Sequence, residues 1–196
     1  MRIISGKHRS RIIEAPKGEK TRPTSDRARE SLFNILTNII DLEGASVLDL
    51  FAGSGAFALE ALSRGAGSAT GVEANQHALN AMKANAAALG EPLKIAKADV
   101  YKWITLQQDS YDVVFADPPY EDPNLPEVLL KLIAASRLLT PDSIVIIEHR
   151  TGSELTIPTN LVVIRERSAG EATFTFLQLR ALPNEHDTSG DLPGDL

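Results

Sequence analysis

Residues Val47-Leu48-Asp49-Leu50-Phe51-Ala52-Gly53-Ser54-Gly55 and Ala56-Phe57-Ala58-Leu59-Glu60-Ala61-Leu62 restrict the fold more than any other stretch of the chain. They read as a buried strand, a glycine turn and a helix. The glycines let the backbone bend sharply and approach a ligand with no Cβ in the way. About twenty residues past Gly53, the run Ala69-Thr70-Gly71-Val72-Glu73 ends a second strand with an acid, in position to hydrogen-bond a ribose diol.

The rest of the chain continues this rhythm. Strands are predicted near 46–51, 68–73, 93–97, 111–117 and 142–148, with helices near 56–64, 75–89, 100–107 and 124–138 between them. Such alternation requires parallel strands with helices on both faces. Leu161 to Arg167 and Thr173 to Ala181 are strand-like and joined across Ser168-Ala169-Gly170, so they are expected to add an antiparallel hairpin at the sheet edge. The expected fold is therefore α/β and Rossmann-like, a seven-stranded, mostly parallel sheet. Upstream, Ile3-Ile4 and Ile12-Ile13 predict a small β-hairpin, and Pro16 to Pro23 a charged turn-rich loop. Thr24 is placed to cap a helix whose apolar stripe is Ala28, Leu32, Ile35, Leu36 and Ile39. Phe33 falls beside Arg29 and Glu30, off that stripe, which leaves it open between core and active site. The expected division is an N-terminal extension over 1–45, a core over 46–182 and a flexible acidic tail over 183–196.

At 196 residues, the chain has room for one α/β domain with a substantial core. Without cysteine, disulfides and thiolate metal sites are excluded, which fits a reducing cytoplasm. No apolar run reaches membrane-spanning length, and no metal site is expected. The net charge of −6 is unevenly spread: residues 1–30 hold nine Lys/Arg against four acids, and the remainder carries −11. Positive potential is thereby focused at one end, as a polyanion-binding arm requires.

Asp117-Pro118-Pro119-Tyr120 directly follows the strand-like run Tyr111 to Ala116. Proline fixes φ and lacks an N–H, so this corner is rigid and offers carboxylate and carbonyl acceptors. Tyr120 adds a flat face. A planar ring with an exocyclic amine suits it: the amine donates to Asp117 and the Pro118 carbonyl while the ring stacks on Tyr120. Gly53, Gly55 and Ala58 also satisfy the dinucleotide pattern G-x-G-x-x-G/A, which keeps a nicotinamide-dependent oxidoreductase or a non-catalytic nucleotide-binding domain open. Asp49, within the first strand, opposes a pyrophosphate. With Asp99 after the third strand, acids stand at four successive strand ends: Asp49, Glu73, Asp99 and Asp117. S-adenosylmethionine, a sulfonium carrying an ammonium and no phosphate, tolerates them all.

The glycine-loop motif, Glu60-Ala61-Leu62-Ser63-Arg64-Gly65-Ala66, Glu73 and Asp117 to Tyr120 resemble class I methyltransferases that modify exocyclic amines. Arg2-Ile3-Ile4-Ser5-Gly6, Arg22-Pro23-Thr24-Ser25-Asp26-Arg27 and Arg29-Glu30-Ser31-Leu32-Phe33-Asn34-Ile35-Leu36 narrow the resemblance to the bacterial RsmD family, over residues 1 to about 180. The family methylates N2 of one guanine in small-subunit (16S) ribosomal RNA. One departure is visible: Ser10 stands between Arg9 and Arg11, where the family usually has a glycine. The resemblance implies S-adenosylmethionine as cofactor and 16S rRNA, within a small subunit or its assembly intermediate, as partner. Asp117, Pro118, Pro119 and Tyr120 are the expected catalytic residues. The expected cofactor cradle comprises Asp49, Phe51, Gly53, Ser54, Gly55, Glu73, Ala74, Asp99, Val100 and Asp117; the expected RNA contacts are Lys7, Arg9, Arg11, Arg22 and Thr24. A DNA or RNA adenine-N6 methyltransferase, which uses a similar corner, remains the nearer alternative. His8 lies in the basic arm and leaves an RNA contact open. His77 and His149 have no companion at ligand spacing and read as structural, and Trp103 reads as core packing.

Overall fold

The computed structural model describes residues 1–15, 25–120 and 124–181. Seven strands form one sheet: β1 (Ser46–Leu50), β2 (Ser68–Glu73), β3 (Lys94–Lys97), β4 (Tyr111–Ala116), β5 (Leu139–Arg150), β6 (Leu161–Ala169) and β7 (Ala172–Leu179). Their order is β3-β2-β1-β4-β5-β7-β6, parallel from β3 to β5, with β7 antiparallel to both β5 and β6. The helices are α1 (Asp26–Ile39), α2 (Ala56–Ser63), α3 (Gln76–Leu89), α4 (Val100–Leu106) and α5 (Leu125–Ala135).

Two apolar layers hold the sheet. On one face α1, α2, α3 and the N-terminal Ile3 and Ile13 cover Val47, Ala69, Val113, Phe115, Ile144 and Ile146. On the other, α4 and α5 cover Leu48, Leu50, Val114, Val145 and Ile147, with Trp103 packed at the margin as expected. Alternate residues of each central strand thus serve opposite layers, and both faces are dry, which explains why these strands read as near-continuous apolar runs.

Three local expectations need correction. The cap of α1 is Ser25, one residue beyond Thr24: its Oγ accepts from the Ala28 N–H at 3.2 Å. The buried stripe of α1 includes Phe33 (0% exposed), while Ile39 (36%) sits near the surface, so the stripe is rotated from the one the spacing predicts. Phe33 belongs to the core, stacked on Phe57 at 4.9 Å, which in turn stacks on Phe115 at 4.1 Å. The N-terminal hairpin is reduced to a single antiparallel bridge between Arg2 and Ile12, closed around a 3-10 turn over Gly6–His8. Ile3 donates to Arg11 O at 2.9 Å, and Ser10 donates to Ile3 O at 2.9 Å.

The N-terminal segment is fastened to the core. Glu60 on α2, fully buried, accepts from the Ile4 and Ser5 N–H groups at 2.7 and 3.0 Å and from Arg64 Nε at 2.7 Å. Ser63 Oγ donates to Ser5 O at 2.6 Å and accepts from the His8 N–H at 3.0 Å. Gly6 has φ +80, and a Cβ there would lie 1.7 Å from Ser63 O, so the close approach needs glycine. The motif Glu60 to Ser63 is thereby explained by docking.

Candidate functional site

Chain order reverses beside β1, whose neighbours are β2 and β4, and the crevice beyond the C-terminal strand ends at this switch point is where open α/β sheets bind ligands. Residues 51–55 turn through it. Phe51 has φ +60, a conformation that a bulky L-residue adopts only where the surroundings impose it. Its ring meets Tyr101 edge-on at 6.1 Å. Gly53 (φ +54) and Gly55 (φ +77) complete the turn, and Gly55 caps α2. A Cβ on Gly55 would come within 2.7 Å of Met82 Cγ. At Gly53 a Cβ would meet nothing closer than Phe51 O at 4.0 Å, so that side of the loop is open.

Glu73, at the end of β2, reaches across to this loop. Its Oε2 accepts from the Gly53 N–H at 2.9 Å, and its Oε1 from the Ala74 and Asn75 N–H groups, both at 2.8 Å. The carboxylate fixes loop and strand end relative to each other. Ser54 is buried, and its carbonyl accepts from Asn85 Nδ2 at 3.0 Å. Asp99 caps α4, accepting from the Lys102 N–H at 3.0 Å, with Val100 buried beneath it.

Pairing registers place the acids. Asp49 pairs with Phe115, and Ala116 pairs with both Leu50 and Ile147, so Asp117 and Glu148 stand side by side on the strand-face shared with Asp49. Asp49 is buried and accepts one bond, from the Ala58 N–H at 3.1 Å. Burial pushes its carboxyl up to about 8, reinforced by the charge of Glu73. Asp117 is held well above the ordinary carboxylate range by burial first, then by Glu148 and Asp49. Pro118 is buried, whereas Pro119 and Tyr120 are exposed at the mouth. Tyr120 Oη donates to Glu148 Oε1 at 2.8 Å. The structure thus brings Asp49, Phe51, the glycine loop, Glu73, Ala74, Asp99, Val100 and Asp117 to Tyr120 to one sheet edge.

The basic residues are less uniform. Lys7 Nζ lies 2.9 Å from Glu91 Oε1, which His8 Nε2 also contacts at 2.5 Å. Arg11 Nη2 donates to Ala88 O at 2.9 Å, and Arg9 is exposed. His8 is engaged in docking rather than presented outward. Ser10, with φ +68, occupies the left-handed conformation that a glycine adopts without strain. Arg22 and Thr24 lie outside the described residues, as do the loop 16–24 and the tail. His149 is a satisfied core histidine, bonded to Thr175 Oγ1 at 2.9 Å and near Ser153 Oγ at 3.1 Å. No cluster that could hold a metal ion occurs among the described residues.

Sequence reasoning missed Glu148 and Asn85. Glu148 carries the same signal as Glu73 and Asp117, an acid ending an apolar run, here Ile144 to Ile147. Asn85 carries none, because its partners are backbone groups of distant loops.

A sheet of this order with a glycine turn at its switch point, and a carboxylate–proline–proline–tyrosine corner beside it, defines a Rossmann-like methyltransferase. Comparison with known proteins agrees. Residues 1–178 match the family model described as Conserved hypothetical protein 95. Ribosomal RNA small subunit methyltransferase D of Escherichia coli (strain K12) is 34% identical over 149 residues, covering 76% of this chain and 74% of that protein. The protein of that name from Haemophilus influenzae is 36% identical over 154 residues, covering 76% and 78%. A solved Escherichia coli structure described as a methyltransferase superimposes with a TM-score of 0.81 at 34% identity, covering 93% of this chain and 99% of that one. The chain belongs to the RsmD family, and S-adenosylmethionine is its cofactor. The crevice fits that group: the space over Gly53 is open, and acids raised by burial and by one another's charge would be relieved by a cationic, phosphate-free ligand.

Proposed function

We propose that this chain transfers a methyl group from S-adenosylmethionine to the exocyclic N2 amine of a guanine in small-subunit (16S) ribosomal RNA. The observation that carries the reading is the Asp117–Tyr120 corner set at the end of β4, one strand from the glycine loop after β1. The curated relatives named ribosomal RNA small subunit methyltransferase D supply the substrate class. In this reading the cradle comprises Asp49, Phe51, Gly53, Ser54, Gly55, Glu73, Ala74, Asp99 and Val100, with Glu73 on the ribose. Bound there, S-adenosylmethionine supplies an electrophilic methyl.

A nucleobase amine is a poor nucleophile because its lone pair is delocalised into the ring. Asp117 and the Pro118 carbonyl accept its two hydrogens and draw the nitrogen towards tetrahedral geometry. Ionised beside the cationic ligand, Asp117 would stabilise the positive charge that develops on nitrogen as the N–C bond forms and the sulfonium C–S bond breaks. With neutral S-adenosylhomocysteine as the leaving group, Asp117 would take the proton shed by the amine. Holding amine and methyl in line contributes about 7–11 kcal/mol. The target base must be unpaired or flipped, and stacking on Tyr120 returns about 1–3 kcal/mol of that cost. In this reading Lys7, Arg9, Arg11, Arg22 and Thr24 contact RNA as residues of a 1–45 extension, and the enzyme works in the cytoplasm on a small subunit or its assembly intermediate.

Mass spectrometry of ribosomal RNA nucleosides from a deletion strain tests the reading. One N2-methylguanine of the small-subunit RNA is expected to vanish and to return on complementation. Loss of an N6-methyladenine instead would move the chemistry to adenine.

A further inference from the structure

Glu148 has no part in the mechanism derived so far, yet it is a buried carboxylate (5% exposed) beside the reaction corner. Removing a carboxylate from water costs several kcal/mol, so its position needs a compensating role or local partners. Its register neighbour is Asp117, and its Oε1 accepts from Tyr120 Oη at 2.8 Å. The Arg150 guanidinium lies over the ring, 5.8 Å from its centroid. Pro118 and Pro119 fix two φ angles of the corner, but nothing in the backbone fixes the torsions of the Tyr120 side chain. At the phenol end, the ring is anchored to strand β5 through Glu148.

We propose that Glu148 is a positioning residue for methyl transfer, holding the Tyr120 ring in the plane on which the target base stacks. This rests on the functional reading above. The phenol beside this carboxylate ionises well above its ordinary range, through burial first and the charge of Glu148 next. That supplies a signature independent of turnover.

The experiment compares wild type, Glu148→Ala, Glu148→Gln, Tyr120→Phe and the Glu148→Ala/Tyr120→Phe double variant. The substrate is small ribosomal subunits from a deletion strain. Circular dichroism and S-adenosylhomocysteine affinity separate folding losses. A hydrogen bond to a charged group corresponds to about tenfold or more, so Glu148→Ala and Tyr120→Phe should each lower kcat/KM by at least that factor. The double variant should be no worse than the worse single one, because both remove the same contact. Glu148→Gln, whose amide oxygen still accepts, should recover most of the loss. Ultraviolet difference titration should assign a late-ionising phenol to Tyr120, as a transition lost in Tyr120→Phe and shifted to lower pH in Glu148→Ala. Additive losses, or a shifted phenol with unchanged kcat/KM, overturn the inference while leaving the functional reading intact. A wild-type protein that methylates no guanine overturns the functional reading and this inference with it.

Discussion

Asp117 and Glu73 do different things at the same sheet edge, and single substitutions should separate them. In the proposed reading, Asp117→Ala removes the acceptor for the substrate amine and leaves Gly53, Gly55 and Glu73 in place. Methyl transfer should disappear while calorimetry finds most cofactor affinity retained; turnover within about tenfold of wild type would sink the assignment. Glu73→Ala should weaken S-adenosylmethionine binding by about 1.5–3 kcal/mol, the range for a hydrogen bond to a charged acceptor. The Gly53, Ala74 and Asn75 N–H groups lose their acceptor in the same variant, so the loop should also exchange its amide hydrogens faster. An unchanged dissociation constant would assign the ribose to another residue. Asp49 sets a pH dependence. Its carboxyl is raised to about 8 in the fold, so the native state holds a proton that the unfolded chain releases near pH 4. This contribution is fully present below the unfolded value and is lost as pH rises towards about 8. Denaturation midpoints should therefore fall between about pH 5 and 8 more steeply in wild type than in Asp49→Asn, whose amide cannot titrate. Equal slopes would place the charge elsewhere.

Elements were legible where their periodicity is strong. The glycine-loop strand, the helix after it and the alternation through β5 could be read because β1, β2 and β4 are buried on both faces and form apolar runs, and α2 is buried almost all round. What escaped reading is tertiary. The stripe of α1 turns towards Phe33 because the Phe33–Phe57–Phe115 stack and the Arg64 guanidinium, 4.7 Å from the Phe33 ring centroid, reward that rotation. Helical spacing alone cannot weigh a ring stack against an isoleucine. The N-terminal hairpin is shorter than its pattern predicts for a similar reason: the Ile4, Ser5 and His8 donors are taken by Glu60 and Ser63, side chains from another element, while Ile3, Ser10 and Ile13 donate across the turn. The acids at the strand ends were found by position, but not their interplay, which depends on which strands adjoin. Docking of this segment depends on Gly6. Gly6→Ala combines a left-handed φ with a clash against backbone and should destabilise the protein by more than about 2 kcal/mol in chemical denaturation. A loss below about 0.5 kcal/mol would mean that the segment re-docks freely.

At the scale of the whole molecule, charge separates the two ends of the chain. With −11 outside residues 1–30, the N-terminal arm is the one strong cationic footprint in the sequence. Replacing Lys7, Arg9 and Arg11 together should weaken RNA binding with cofactor affinity unchanged. If each residue meets one phosphate, the slope of log K against log salt should fall by about two to three units. Lys7 is partly neutralised by Glu91 and Arg11 spends one donor on the Ala88 carbonyl, so the exposed Arg9 should carry the largest single effect. Wild-type affinity and slope in the triple variant would move the recognition surface to the mouth around Tyr120.

The anchors of that arm lie far along the chain. Ile4 waits for Glu60, 56 residues on; Glu14 for Asn85, 71 on; His8 for Glu91, 83 on. Translation delivers the N-terminus first. Each nascent copy must therefore carry its most cationic stretch unfastened past the ribosome's exit until three helices' worth of chain has followed. Its first polyanionic neighbour is the ribosome that is making it.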